Sequence, residues 1–156
     1  MNDAASTVVS RVVHAPRDTV YRAFLDADAL ATWLPPGSMH GVVHAFDGRE
    51  GGAFRISLVY PDDERDARGK TTASTDTVEG RFVTLVPDER IVWSTQFESA
   101  DPAFAGEMMV ITTLAMASSG TEVTIRCENI PPGIRPEDNE AGCRSTLEKL
   151  ARFVEG

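Results

Sequence analysis

The stretch EDNEAGCRSTLEKLARFVE, Glu137 to Glu155, decides the fold. Its apolar or small positions, Ala141, Cys143, Leu147, Leu150, Ala151 and Val154, recur at helical spacing, so the segment predicts a long amphipathic helix with one face to bury. Gly142 lies inside that pattern. Glycine there costs about 1 kcal/mol against alanine, and the helix is expected to approach another element closely at this point.

The surface that receives the helix must come from upstream, and most of the upstream chain reads as strand. TVVSRVVH, Thr7 to His14, is dense in β-branched residues and predicts a first strand. Pro16 suits the first turn of a helix, where its missing N–H would be unpaired anyway. Val20, Tyr21, Phe24 and Leu25 then recur at helical spacing within Arg17 to Asp26. Asp28 is placed to cap a second short helix, Ala29 to Trp33, which ends because Pro35 turns Leu34 away from helical angles. Met39 to Phe46 and Gly51 to Tyr60 predict strands joined across DGREGG. PDDERDARG, Pro61 to Gly69, is a charged loop. Lys70 to Val86 is long for one strand, and Gly80 predicts a bulge or bend in it. After the VPDER turn, Ile91, Trp93, Thr95 and Phe97 alternate on one face of a half-buried strand. Glu107 to Ala117 and Thr121 to Asn129 form a hairpin across SSG. Strands and helices are segregated, so the class is α+β. One helix covers six or seven strands only if twist curls the sheet around it.

The 156 residues fit one domain, spanning 1–156, with a real core. Twenty-four acidic residues face 15 basic ones, for a net charge of −9, and the positive charges are scattered singly. That balance repels phosphate backbones and anionic lipid, so nucleic acid is not an expected partner. No apolar run is long enough to span a membrane, and the N-terminus has no signal-peptide pattern, so a cytoplasmic location is expected. The two cysteines, Cys127 and Cys143, lack metal-ligand spacing and are expected to be reduced and buried.

Three segments carry a family resemblance: VVHAPRDTVYRAFLDADALATWLPP, TVEGRFVTLVPDERIVWS and EAGCRSTLEKLARFVE. In order and pattern they resemble the helix-grip fold of the START/SRPBCC superfamily, in the branch named for activators of the heat-shock-protein-ninety ATPase. The middle segment matches strand, Gly, aromatic, strand, Pro-Asp-x-Arg, strand. The last matches Gly-aromatic-x-x-x-Leu-x-x-Leu, usually with tryptophan after the glycine; here that place is Cys143. The resemblance implies a curved antiparallel sheet wrapped around the C-terminal helix, with two short helices after strand one. It also implies an elongated apolar interior, which the loss of bulk at Cys143 would enlarge.

The cavity-lining candidates follow from that architecture. Trp33 and Leu34 would plug the mouth between sheet and helix, with Pro35 and Pro36 fixing the corner; the plainer alternative is that they only seal the core. Phe54, Ile56, Leu58 and Tyr60 would line one strand, and Ile91, Trp93, Thr95 and Phe97 another. A third strand would contribute Met109, Ile111 and Thr113, or in the other register Met108, Val110 and Thr112, since both faces are apolar. Cys143 and Leu147 would face them from the helix.

Other chemistry is weaker. His40 and His44 share a strand face about 13 Å apart, too far to share a metal ion. Asp76, Glu79, Glu98 and Glu107 fall on strands or strand ends, where a solvated position is the expectation; whether Asp76 faces inward depends on register. No serine sits in a nucleophile elbow, and REGGAF lacks the lysine and helix of a phosphate loop. The sequence therefore predicts a protein that binds a small apolar or amphipathic molecule, without catalytic residues, cofactor or metal. Two rivals remain: a polyketide cyclase or dehydratase-like enzyme, and a co-chaperone-like adaptor that binds a chaperone ATPase. A homodimer through a sheet edge or the helical end is compatible with this sequence.

Overall fold

Backbone pairing joins seven strands into one antiparallel sheet in the order β1-β7-β6-β5-β4-β3-β2. The structure is a computed structural model that describes residues 5–35, 37–60 and 75–155. The strands are β1 (Ala5–Val13), β2 (His40–Phe46), β3 (Ala53–Val59), β4 (Thr75–Val86), β5 (Arg90–Phe97), β6 (Met108–Ala117) and β7 (Gly120–Ile130). The helices are α1 (Arg17–Phe24), α2 (Ala27–Trp33) and α3 (Pro136–Glu155). The class is α+β, with the element order of a helix-grip fold. The expected charged loop, Pro61 to Gly69, lies outside the described residues, as does Pro36.

The helices form a belt across one face of the sheet. α3 packs on β1 at one edge, α2 packs on α3, and α2 also packs on β2 at the opposite edge. A belt that short reaches both edges of a seven-stranded sheet only because the sheet curls. α1 fills the angle between, against β5, β6, β7 and α3. The core beneath is aromatic, with Trp93 at its centre. Its ring centroid lies 5.4 Å from that of Phe54 and 5.8 Å from those of Phe24 and Phe82. Trp33 packs edge-on to Phe24 at 4.6 Å, and its indole N–H donates to the Ala23 carbonyl at 3.0 Å.

Several local expectations are corrected. The cap of α2 is Asp26, whose carboxylate accepts the Ala29 N–H at 3.1 Å from an extended backbone. Asp28 falls in the first turn, where its charge suits the helix dipole but its side chain does not cap. Pro16 likewise sits just before α1 rather than in its first turn. Gly80 is not a bulge: it pairs in register with Phe54 and Thr95, and the irregularity falls between Phe82 and Thr84. What Gly80 provides is room, since a Cβ there would lie 2.2 Å from the Phe54 ring.

Two stability predictions follow from these placements. Asp26→Ala lowers unfolding free energy by about 1 kcal/mol in denaturant titrations, whereas Asp28→Ala changes it by under about half that. Gly80→Ala costs about 1–3 kcal/mol, because the new methyl drives a packed aromatic ring from its position.

Candidate functional site

α3 seals the sheet with only part of its length. Thr146, Leu147, Leu150 and Ala151, in its C-terminal half, are buried. In its N-terminal half, Asp138, Asn139, Gly142 and Cys143 share one helical face with Thr146 and look onto a cavity of about 250 Å³. Asn139 and Cys143 touch the sheet at Thr7 and Cys127, but Gly142 has no side chain, so space is left beside those contacts. Nothing lies within 4 Å of where a Cβ of Gly142 would be, so the glycine opens space instead of permitting the expected close approach.

The facing wall is built by strand register. Thr95 pairs with Met108, Trp93 with Val110, and Val110 in turn with Cys127, so these residues share the inner face. Leu58 pairs with Asp76 and Ile56 with Val78 on the same face further along. Phe24, Trp33, Leu34, Phe54, Phe97, Thr112, Ile125 and Ile134 complete the lining. The walls are mainly apolar, with a few polar groups: Asp76, Thr95, Thr112, Asp138, Asn139 and Thr146.

Of the residues predicted to line the space, Trp33, Leu34, Phe54, Ile56, Leu58, Trp93, Thr95, Phe97 and Cys143 do so. Four do not. Met109 points to the opposite face, beside Arg55, Glu79, Arg81 and Gln96. Ile111 pairs with Val92 and Arg126 on that outer face, so the register is the one carrying Met108, Val110 and Thr112. Tyr60 lies beyond the end of β3. Leu147 is buried in the closed half of the helix contact.

Asp76 is also corrected: instead of a solvated strand face it occupies the cavity wall, 3% exposed. Phe24, Cys127, Ile134 and Asn139 were missed altogether. Register signals for Cys127 did exist, since it alternates with Val123 and Ile125 in β7. The histidines lie elsewhere. His44 is exposed, and its Nε2 is 2.7 Å from the Ser57 hydroxyl, which contacts Thr77 on the outer face. Among the described residues, no three His, Cys, Asp or Glu side chains are grouped to hold a metal ion.

A hydrogen-bonded strap closes one side of the cavity. The Thr146 hydroxyl donates to the Leu34 carbonyl at 2.9 Å, and the Gly37 N–H donates to the Ser145 hydroxyl at 2.7 Å. The Lys149 ammonium donates to the carbonyl of Pro35 and, at 3.3 Å, to that of Gly37. Burial, reinforced by nearby Arg152, holds the Lys149 pKa below its ordinary value. Ser145, Thr146 and Lys149 of α3 thus hold the segment that carries Trp33 and Leu34.

Comparison with known proteins places this arrangement. The profile of the family described as "Activator of Hsp90 ATPase homolog 1-like protein" matches residues 14–155. The chain is similar to a protein of Chromobacterium violaceum of known crystal structure, with 36% identity, TM-score 0.85 and 97% of each chain covered. An AHSA1-like protein from Aeromonas hydrophila shares the fold at 19% identity and TM-score 0.72, covering 97% of this chain and 92% of that one. A protein from Arthrobacter aurescens does so at 16% identity and TM-score 0.77, covering 98% and 87%. No curated protein matches the chain. No helix among the described residues is long and apolar enough to cross a membrane. The chain belongs to the family of activator of Hsp90 ATPase homolog 1-like proteins.

Proposed function

We propose that this chain, acting as one unit in the cytoplasm, binds a small apolar or amphipathic molecule between the N-terminal half of α3 and the curled sheet. The observation that carries the reading is the open space above Gly142, faced by apolar strand residues. Size limits the ligand. An apolar cavity of about 150 Å³ accommodates benzene, so about 250 Å³ suits a bicyclic aromatic or a short acyl chain, not a long-chain lipid. Charge limits it further. Asp76 in the wall and a net charge of −9 disfavour an anionic head group.

A second reading, the adaptor, draws on the family's name. It requires that the chain stimulate the ATPase of a purified Hsp90, and a flat ATPase rate across a titration would remove it. The enzyme reading draws on Asp76, a buried carboxylate on the cavity wall.

Indole is a suitable neutral probe. Burying about 200 Å² of apolar surface at about 25 cal/mol/Å² provides roughly 5 kcal/mol before association costs, which caps affinity near about 0.2 mM, so a dissociation constant of about 1 mM or weaker is expected. In protein-observed NMR titrations, indole shifts resonances of Trp93, Thr95 and Gly142, and indole-3-carboxylate binds at least about tenfold more weakly. Gly142→Leu fills the space. It abolishes indole binding while raising stability by up to about 1 kcal/mol, because a leucine in a helix also removes the cost of glycine. A destabilised Gly142→Leu variant, or indole shifts confined to the outer face, would sink the ligand-site reading.

A further inference from the structure

We propose that Cys127 and Cys143 form a reversible dithiol–disulfide site in the cavity wall, whose oxidation fastens α3 to β7 and closes the cavity. The closing half rests on the ligand-site reading above. The two sulfurs lie 3.8 Å apart, on β7 and α3, at positions 16 apart in the chain. Both cysteines are free. A disulfide needs about 2.05 Å, so bonding requires the sulfurs to approach by about 1.8 Å, a shift shared between side-chain rotation and movement of α3.

Access and anchoring both favour the reaction. Cys127 is 2% exposed, yet both residues line the cavity, so a peroxide reaches the sulfurs from inside. The start of α3 is already tied beside its target. The Thr7 hydroxyl of β1 donates to the side-chain Oδ1 of Asn139 at 2.5 Å, one turn before Cys143, and Thr7 pairs with Cys127 across the sheet. The two thiols also differ in acidity. Contact with Cys143, against the effect of burial, holds the Cys127 thiol below its ordinary value, while Cys127 and burial push the Cys143 thiol up. One sulfur is thereby favoured as thiolate while its neighbour keeps a proton to release later.

The oxidant is a peroxide. The Cys127 thiolate attacks one oxygen of hydrogen peroxide; an S–O bond forms, the O–O bond breaks, and the hydroxide released takes up a proton to become water. Cys143 then gives up its proton and its sulfur attacks that of Cys127. The S–S bond forms, the S–O bond breaks, and the hydroxyl leaves as a second water. Two thiols and one peroxide become one disulfide and two waters, with the sulfurs oxidised and the peroxide reduced. The new bond draws the N-terminal half of α3 toward β7, across the space that Gly142 leaves open.

The test uses the full chain, reduced and then treated in dilute solution with hydrogen peroxide. Intact mass without reductant should fall by about 2 Da and recover with dithiothreitol, at the monomer mass. Closing a loop of 16 residues should raise Tm by about 5–10 °C. Indole affinity should fall at least about fivefold, since the disulfide narrows the cavity. Cys143→Ala, at the less buried position, should show neither the mass loss nor the Tm rise, and peroxide should leave the variant's own indole affinity, whatever its starting value, unaltered. An unchanged mass, or bonding between chains, overturns the site. A disulfide that leaves indole affinity intact overturns the closure. Failure of the reduced protein to bind indole at all would instead defeat the ligand-site reading, and the closure with it, while mass and Tm still decide the disulfide.

Discussion

The structure depends on how α3 meets the sheet. Leu147, Leu150 and Ala151 are among the most buried residues of the protein and pin the C-terminal half of the helix into the aromatic and aliphatic core. A rigid helix fixed over its last turns has no freedom to follow the sheet with its first turns. The residues carried there then decide whether the remaining gap is filled. Gly142 and Cys143 do not fill it, and the cavity follows from that mismatch between a straight helix and a curled surface.

The other walls hold the gap at a fixed size. Trp93 lies in ring contact with Phe24, Phe54 and Phe82, and Trp33 reaches the same group through Phe24. Edge-on and tilted rings of this kind resist sliding because each is trapped between neighbours. Gly80 belongs to this arrangement, since the Phe54 ring occupies the place of its missing side chain. On the helical side, Ser145, Thr146 and Lys149 hold the backbone that follows Trp33. Trp33, at 1% exposure, seals core and also forms cavity wall.

Much of this was legible in the sequence. Element order, the α+β class and the long C-terminal helix follow from periodicity and punctuation, which are local signals. Nine of the lining residues were also named, because one alternating strand face and one helix face are local patterns as well. The errors have a common physical origin. Met109 and Ile111 sit in a strand apolar on both faces, so alternation did not specify which face turns inward, and only pairing with Trp93 and Thr95 settles it. Asp76 was assigned to solvent by residue type, but its pairing with Leu58 places it inside. Asp28 lost the cap to Asp26 because the helix begins two residues early, a choice made by backbone angle and not by composition. The approach of Cys127 to Cys143 joins β7 to α3, and no local pattern encodes it.

The cavity also bears on why the sequence stands as it does. Apolar wall left facing an unfilled space forgoes burial worth about 25 cal/mol per Å². Water relieves the penalty poorly where most of the lining is apolar. A larger side chain at Gly142 or Cys143 would remove much of the space in one step, and at Gly142 it would improve helix propensity as well. Two adjacent small residues on the cavity face of α3 thus preserve a void that stability alone disfavours. A bound molecule of matching size reverses the sign of that term, because the surface which is costly to leave bare becomes the surface that is buried.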